Sequence, residues 1–260
     1  MEKVRAKKNL GQHFLKDLSI ARRIVASLPV DTPTPVLEIG PGMGVLTQYL
    51  LENPNVDLKV VELDGESVRY LQKNFPKLEG RIIPADFLKL RLEDYFPSKF
   101  CIIGNYPYNI SSQIFFKLLE YREQVPVLTG MVQKEVAERI ASKEGSKAYG
   151  ILSVLLQAYY DIEYLFTVDE RVFDPPPKVK SAVIRLTRNN VTDIGCDETL
   201  FKRVVKTAFN QRRKTLRNSL RPILKPETPT QDDIFGKRPE QLSVREFIDL
   251  TNRLGNFVVS

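Results

Sequence analysis

A chain of 260 residues, 42% of them hydrophobic, is long enough for an α/β domain of ordinary size and a small second domain. It contains one histidine, two distant cysteines and no long apolar run, so a Ser-His-Asp triad, a zinc site and a transmembrane helix lack the residues they require. The net charge of +7 favours a polyanionic partner, and, because residues 1–16 lack the apolar core of a secretory signal, we expect a cytoplasmic protein without a membrane segment.

Between residues 35 and 141, short apolar segments alternate with helical patterns. The predicted strands are 35–39, 58–62, 81–86, 100–104 and 126–132, and the predicted helices are 46–51, 66–74, 111–121 and 133–141. Two later segments, 159–168 and 181–187, can complete the sheet as an antiparallel pair. This order predicts an α/β fold with a mainly parallel, seven-stranded sheet covered by helices on both faces.

The character of the chain changes after a rigid Pro-rich loop at 173–177 and the last predicted strand. Residues 200–220 carry apolar side chains at helical spacing, and residues 241–254 are predicted to form another helix. We therefore predict a first domain over residues 1–189 and a small all-helical domain over residues 190–260.

Three predicted strand ends carry residues suited to an adenosyl group. Gly40, Gly42 and Gly44 follow the first strand with the spacing G-x-G-x-G, which lets the backbone approach a ligand closely. Glu62 ends the second strand, where a carboxylate can accept both ribose hydroxyls, and Asp86 ends the third, where it can accept from an adenine amino group. The alternative for each carboxylate is a helix cap.

The segment Asn105-Tyr106-Pro107-Tyr108 follows the fourth strand, at the edge where ligands of open α/β sheets bind. The N6 nitrogen of adenine is a poor nucleophile because its lone pair is delocalised into the ring. The Asn105 side chain and the Tyr106 backbone carbonyl can accept both N–H bonds and favour a pyramidal nitrogen, while Tyr108 can stack on the base. Such a transfer requires no metal and no general base before attack. The alternative is an ordinary strand-to-helix turn.

Several motifs resemble those of one family, the ribosomal RNA adenine N6,N6-dimethyltransferases. They are 8–15 (KNLGQHFL), 38–47 (EIGPGMGVLT), 105–112 (NYPYNISS), 147–150 (KAYG), 173–179 (FDPPPKV) and 208–219 (AFNQRRKTLRNS). The resemblance is strongest to members that act on bacterial small-subunit (16S) RNA. It implies a Rossmann-like class I methyltransferase fold and S-adenosylmethionine as methyl donor. It also implies double methylation of two adjacent adenosines near the RNA 3′ end, coupled to small-subunit biogenesis.

The resemblance further implies which residues contact the methyl donor and the target base. The implied cofactor contacts are Gln12, His13, Leu15, Gly40, Gly42, Glu62, Leu63, Asp86, Phe87 and Asn105. Phe173 is similar to the residue that sandwiches the target base opposite Tyr108, so the catalytic set is Asn105, Tyr106, Tyr108 and Phe173. The alternative for Phe173 is a core phenylalanine that anchors the Pro-rich loop. Tyr106 departs from the family, in which an aliphatic residue is usual, but its backbone carbonyl can still serve.

A basic segment in the second predicted domain indicates a phosphate-binding surface. Residues 201–225 contain nine lysines or arginines and no acidic residue, and the best RNA-binding candidates are Arg212, Arg213, Lys214 and Arg217. A second basic cluster contains Lys3, Arg5, Lys7 and Lys8. Because neither cluster has interleaved aromatic residues, we expect recognition of phosphates and RNA shape. The alternative is a surface that is basic only for solubility.

Three other functions compete with this interpretation. They are an adenine methyltransferase for DNA or large-subunit RNA, a ribosome-assembly factor in which methylation is secondary or lost, and a dehydrogenase. The motifs at 173–179 and 208–219 favour small-subunit RNA, and the missing G-x-G-x-x-G pattern counts against a dehydrogenase. Nothing in the sequence indicates more than a monomer.

Overall fold

The computed structural model describes residues 4–259, and the chain divides into two compact units. The first unit runs to Ala137 and resumes over Ile162–Arg188, and the second comprises Glu138–Asp161 and the chain from Asn189 onward. The second unit thus includes residues 138–161, which were predicted to belong to the first domain. These residues belong to the second unit because their helix Ile151–Gln157 packs against later helices of that unit.

Seven strands form the central sheet. In chain order, the strands within residues 4–259 are β1 (Phe14–Leu15), β2 (Thr34–Ile39), β3 (Val56–Val61), β4 (Ile82–Ile83), β5 (Cys101–Asn105), β6 (Val127–Gln133), β7 (Tyr160–Val168), β8 (Phe173–Asp174) and β9 (Ser181–Arg188). The sheet order is β4-β3-β2-β5-β6-β9-β7, and β1 pairs with β8 separately. The strands β2 to β6 pair in parallel and β9 is antiparallel to β6. The predicted mainly parallel, seven-stranded sheet is confirmed.

The helices alternate with these strands and then supply the main secondary structure of the second unit. Over the same residues the α-helices are α1 (Leu18–Ala26), α2 (Thr47–Leu50), α3 (Gly65–Asn74), α4 (Ser111–Glu120), α5 (Lys134–Ala141), α6 (Ile151–Gln157), α7 (Glu198–Asn210), α8 (Leu216–Ser219) and α9 (Val244–Leu254). In the described part of the chain, none has both the length and the apolar character needed to cross a membrane.

Burial on both faces explains why β2 and β5 lie at the centre of the sheet. Val36, Leu37 and Ile103 are completely buried, as expected for parallel strands covered by helices on each side. In the register of the parallel pairs, Ile39 lies opposite Val61. The carboxyl ends of β2, β3, β4 and β5 therefore meet at one edge of the sheet, the edge at which open α/β sheets bind ligands.

Two predicted elements differ from the structure. The predicted strand 81–86 contains only Ile82–Ile83, because Pro84 has no N–H for a ladder bond and Asp86 caps the 3-10 helix that follows. The helical pattern at 200–220 forms two helices, α7 and α8. Lys214 donates its backbone N–H to the Gln211 carbonyl at 2.8 Å, which closes a turn, and Thr215 then begins α8 from an extended conformation.

Candidate active site

One pocket of the first unit lies at the carboxyl ends of β2, β3, β4 and β5. Five short segments line it: the loop 10–15, the glycine turn after β2, the end of β3, the segment 85–88 and the turn after β5. The ten predicted cofactor contacts all lie in this lining: Gln12, His13, Leu15, Gly40, Gly42, Glu62, Leu63, Asp86, Phe87 and Asn105. Tyr106 and Tyr108 line it too, whereas Phe173 does not. The motifs at 8–15, 38–47 and 105–112 therefore converge on one site, together with the residues that follow β3 and β4.

The glycine turn after β2 has no room for side chains at two positions. Gly42 has φ +55°, and a Cβ built there would lie 2.9 Å from the Phe14 ring. Gly44 has φ +78°, and its Cβ would lie 2.4 Å from the Phe75 ring. Both conformations are in the left-handed region that favours glycine, so the backbone itself forms this wall of the pocket.

Glu62, at the end of β3, is tied to the glycine turn. Its carboxylate accepts from the Gly42 N–H at 3.0 Å and from the Asp64 N–H at 2.9 Å. Burial raises the pKa of Glu62, and the two N–H donors oppose that shift. The cap of α3 is Asp64, which accepts from the Glu66 N–H, so the alternative of Glu62 as the helix cap is wrong.

A second buried carboxyl group lies beneath the same turn. Glu38 in β2 is 1% exposed and accepts from the Thr47 hydroxyl at 2.6 Å. Burial raises the pKa of Glu38 to about 8, which the Thr47 bond opposes and the Glu62 charge reinforces. The glycine turn therefore lies on one carboxyl group that is protonated at neutral pH and one that receives two backbone N–H bonds.

Asp86 lines the pocket and also caps the 3-10 helix Phe87–Lys89, accepting from the Leu88 N–H at 3.0 Å. The alternative of an N-cap is thus correct for this residue. The cap bond fixes the carboxylate at the rim without excluding it from the pocket. Two apolar residues of the same lining differ in exposure: Phe87 is buried and Leu63 is 56% exposed.

The turn after β5 presents two acceptor oxygens. Asn105 donates through its side-chain N–H to the His13 carbonyl at 3.1 Å, and Tyr106 donates its backbone N–H to the Met131 carbonyl at 3.0 Å. Within residues 4–259 neither the Asn105 side-chain oxygen nor the Tyr106 carbonyl accepts a hydrogen bond. The donors of these residues are thus engaged, and their acceptors remain available to a ligand with N–H bonds.

The rings of Tyr108 and His13 lie side by side in the pocket lining. Their ring centres are 5.2 Å apart with the planes tilted by 32°. The Tyr108 hydroxyl is hydrogen-bonded to the Ser181 hydroxyl, and His13 Nδ1 lies 2.8 Å from the Pro175 carbonyl. Because a carbonyl only accepts, Nδ1 carries the proton there. The half-buried Tyr108 ring is therefore held by the His13 ring beside it and by the hydrogen bond of its hydroxyl to Ser181, and a ring fixed in this way can serve as a platform for stacking.

Phe173 is placed differently from the other predicted catalytic residues. Its side chain is completely buried in the hydrophobic core, and the β8 strand that contains it pairs with β1, opposite Leu15. In this conformation it is a core phenylalanine that anchors the Pro-rich loop, and stacking on a base would require the ring to leave the core. The stacking role of Phe173 stays a prediction.

The predicted RNA-binding residues separate into two groups in the second unit. Arg212 and Arg213 line a recess together with Lys147 and Arg238, which the sequence analysis did not select as RNA-binding residues, while Lys214 and Arg217 lie outside it. Lys147 was signalled by the KAYG motif, but nothing in the mixed-charge sequence around Arg238 indicated a role. Further residues of the recess are Gly145, Ser146 and Glu240.

Contacts already made by basic residues limit what they can offer to a phosphate. Arg212 donates to the Lys147 carbonyl, and Arg217 donates to the Thr230 carbonyl at 2.9 Å and 3.0 Å. In the N-terminal cluster, Lys7 pairs with Asp64 and, at 3.2 Å, with Glu66, which makes it a structural cation. Lys3 lies outside the described residues.

Comparisons with known proteins agree with this arrangement. A family model described as "Ribosomal RNA adenine dimethylase" matches residues 3–253. A ribosomal RNA small subunit methyltransferase A from Parabacteroides distasonis is 67% identical over 252 residues, which are 96% of this chain and 94% of the relative. A dimethyladenosine transferase from Plasmodium falciparum superposes with TM-score 0.79 at 23% identity, over 95% of this chain and 99% of that chain.

A second solved structure, the 23S rRNA methyltransferase ErmE, superposes with TM-score 0.70 at 25% identity, over 93% of this chain and 99% of that one. These superpositions show the predicted Rossmann-like class I methyltransferase fold, for which S-adenosylmethionine is the methyl donor. Since the family model matches almost the whole chain, and three of the motifs line one pocket, the chain belongs to the ribosomal RNA adenine dimethylase family.

Proposed function

We propose that this protein transfers methyl groups from S-adenosylmethionine to the N6 atoms of two adjacent adenosines near the 3′ end of small-subunit (16S) ribosomal RNA. Family membership and the 67% identity to a small subunit methyltransferase A support the reaction and the RNA. The observation that carries the chemistry is the pair of available acceptor oxygens on Asn105 and Tyr106 in the pocket. We further propose that formation of N6,N6-dimethyladenosine is coupled to biogenesis of the small subunit.

The pocket fits S-adenosylmethionine because its wall at Gly42 consists of backbone atoms alone, which a ligand can approach closely. A Cβ at Gly42 would contact the Phe14 ring. Glu62, at the end of β3, accepts from the ribose hydroxyls, and Asp86 at the rim accepts from the adenine amino group. His13 and Gln12 close the methionine end. The bound cofactor supplies a methyl group on a sulfonium leaving group, which is why the chain requires no metal for activation.

The protein's part in the reaction is to hold the nucleophile. The Asn105 side-chain oxygen and the Tyr106 carbonyl accept the two N6 hydrogens, so the nitrogen becomes pyramidal and its lone pair turns away from the ring. Tyr108 stacks on the extruded base, a contact worth about 1–3 kcal/mol. After transfer the N6 nitrogen carries a positive charge, so its N–H bonds are acidic and one proton leaves to solvent, and the reaction needs no general base in the turn.

The recess of Lys147, Arg212, Arg213 and Arg238 supports phosphate recognition by the second unit. Four cationic side chains from separate parts of that unit surround one depression, with Glu240 as its only acidic lining residue within the described chain. We propose that these residues bind the RNA backbone. Arg217 lies outside the recess and donates to the Thr230 carbonyl, so we assign it no part in this recess.

Substrate choice between the two ribosomal subunits is supported by the difference in identity. The relative named for the small subunit is 67% identical, and the structure named for 23S rRNA is 25% identical over a similar share of the chain. We therefore place small-subunit RNA ahead of large-subunit RNA. We also propose that the protein acts as a monomer in the cytoplasm. Light scattering of the purified chain tests whether it is a monomer.

The test is tritium transfer from labelled S-adenosylmethionine to unmethylated small subunits, large subunits, naked RNA and DNA, followed by digestion to nucleosides. Label in N6,N6-dimethyladenosine from small subunits alone is the expected result. Label confined to large subunits or DNA would keep the chemistry and overturn the substrate. With small subunits, Asn105→Ala should abolish transfer and leave RNA binding nearly intact, whereas Asn74→Ala, an exposed asparagine at the end of α3, should change neither.

A further inference from the structure

A lysine on α4, Lys117, is almost completely buried although its side chain carries a charge. It is 7% exposed, and its ammonium group donates to the Leu88 carbonyl at 3.1 Å and to the Leu90 carbonyl. The same nitrogen lies 5.2 Å from the centre of the Phe87 ring, within cation–π range. Because burial of a charge is costly without such compensation, these contacts fasten the segment 87–90 to α4.

Tyr121, the residue that follows α4, holds the next part of the same segment. Its hydroxyl accepts from the Leu92 N–H at 3.2 Å and donates to the Glu93 carboxylate at 2.6 Å. The Tyr121 bond also lowers the pKa of Glu93, as expected for a donor to an ionised carboxylate. We call residues 86–93 the adenine-side segment. Two side chains of one helix end thus hold it at four backbone or side-chain atoms.

The other end of α4 contacts the catalytic turn. The Ser111 hydroxyl, at the first residue of the helix, donates to the Tyr108 carbonyl at 3.2 Å. The adenine-side segment in turn places Asp86, Phe87 and Leu88 in the pocket lining. A single helix of ten residues therefore joins the base-stacking tyrosine to the wall of the pocket that faces the adenine end of the proposed cofactor site.

We propose that Lys117 is a positioning residue for the cofactor: through the Leu88 and Leu90 carbonyls it fixes the adenine-side segment so that Asp86 can recognise the adenine amino group. The inference rests on the cofactor site proposed above. It assigns to α4 a role in cofactor selection in addition to its connection with the target-base turn. Tyr121 supports the same segment from its far end.

The charges around Lys117 agree with a cation that is retained for its contacts. Burial lowers its pKa, and the acidic groups Glu120, Asp86 and Glu93 oppose that shift. Lys73 provides a matched comparison, because it is an exposed lysine in the last turn of another helix, α3, and lies outside both the adenine-side segment and the pocket lining.

The experiment compares Lys117→Met with Lys73→Met in the full chain by titration calorimetry with S-adenosylhomocysteine and S-inosylhomocysteine. The inosyl ligand lacks the adenine amino group. For Lys117→Met we expect about tenfold weaker binding of the adenosyl ligand and a reduced preference over the inosyl ligand. The KM for S-adenosylmethionine should rise while kcat at saturation stays within about twofold. Lys73→Met should match the wild type in all of these.

A merely structural lysine would lower the thermal stability of Lys117→Met and leave the adenosyl-to-inosyl preference of the folded fraction unchanged; that outcome overturns the inference. Tyr121→Phe keeps the lysine and removes two hydrogen bonds, and it serves if Lys117→Met does not fold. It should weaken adenosyl binding by about threefold and reduce the preference, and wild-type values would equally refute the proposal.

Glu62→Gln separates failure of this inference from failure of the proposed site. If Glu62→Gln weakens the adenosyl ligand but Lys117→Met does not, the cofactor lies where proposed and only the role of Lys117 is wrong. If neither variant changes binding and the wild type does not prefer the adenosyl ligand, the cofactor site itself is misplaced.

Discussion

Glu38 and Glu62 are carboxyl groups beneath the same glycine turn, and they differ in their hydrogen-bond partners. Glu62 receives two backbone N–H bonds, which stabilise its ionised form against burial. Glu38 receives one hydroxyl bond, from Thr47, and its burial is complete enough to raise its pKa to about 8. At neutral pH the Glu38 carboxyl is therefore protonated, while the Glu62 carboxyl accepts two backbone N–H bonds. This arrangement avoids two negative charges side by side.

The raised pKa of Glu38 predicts a pH dependence of stability. Above its ordinary pKa the unfolded chain ionises Glu38 while the folded chain keeps it protonated, so the free energy of unfolding falls as pH rises towards 8 and then levels. The fall has an upper bound of about 1.4 kcal/mol per pH unit. Glu38→Gln, which mimics the protonated group, should abolish this component in denaturant titrations between pH 5 and 8.

The control for this measurement is Glu52→Gln, which changes the same chemistry at an exposed position. Its pH profile should follow the wild type. A stability difference between wild type and Glu38→Gln that stays constant across this pH range would mean that Glu38 is ionised in the folded protein, and the assignment of a neutral carboxyl beneath the turn would be wrong.

At the scale of elements, the catalytic turn is fastened to β6 by the side chain of Tyr106. The ring is 1% exposed, and its hydroxyl donates to the Thr129 carbonyl at 3.0 Å. It occupies the space that Gly104 and Gly130 leave open: a Cβ on Gly104 would lie 2.7 Å from the ring, and one on Gly130 would lie 2.2 Å from it. The bulky side chain of Tyr106 is thus matched by two glycines on neighbouring strands.

This match predicts a coupled pair of substitutions. Gly130→Ala should destabilise the fold by about 1–3 kcal/mol, because the new methyl group overlaps the Tyr106 ring, and it should also lower kcat by displacing the Tyr106 carbonyl. Tyr106→Leu removes the ring atoms that the methyl group meets. The double variant should therefore be more stable than Gly130→Ala alone, as measured by thermal unfolding and analysed as a double-mutant cycle.

Gly236→Ala is the control for alanine substitution itself, because nothing lies within 4 Å of the Cβ it would add. Effects of Gly130→Ala and Tyr106→Leu that simply add in the double variant would contradict a direct contact between the two side chains. Loss of transfer in Gly130→Ala without loss of stability would instead assign the glycine to the reaction.

The sheet was predictable from sequence because its strands are continuous apolar runs followed by glycine, acidic or asparagine residues. α6 was not predicted: the run Ile151–Gln157 is buried around most of its surface and shows no helical period that separates it from a strand. The pairing of β1 with β8 and the contact of Lys117 with Leu88 join residues far apart in sequence. Local patterns do not encode such partners. For the same reason the sequence left both roles open for Phe173.

For the whole molecule, the net charge of +7 is a weak guide until neutralised cations are separated from available ones. Lys7 and Arg253 are examples of the first kind, paired with Asp64 and Asp232. In the recess of the second unit, by contrast, the cations Lys147, Arg212, Arg213 and Arg238 converge on one depression. Counterion release from RNA should therefore depend on these side chains more than on total charge.

Arg238→Gln and Arg253→Gln remove the same charge from the same unit, one inside the recess and the other from a 3.0 Å ion pair with Asp232. If Arg238 contacts a phosphate, its loss should weaken binding uniformly across RNA sequences. It should also lower the slope of log K against log salt by about 0.7–0.9. Arg253→Gln should leave that slope close to the wild-type value. Filter binding of small-subunit RNA at several salt concentrations measures both. Equal losses for the two variants would mean that bulk charge governs RNA binding and that the recess has no special part in it.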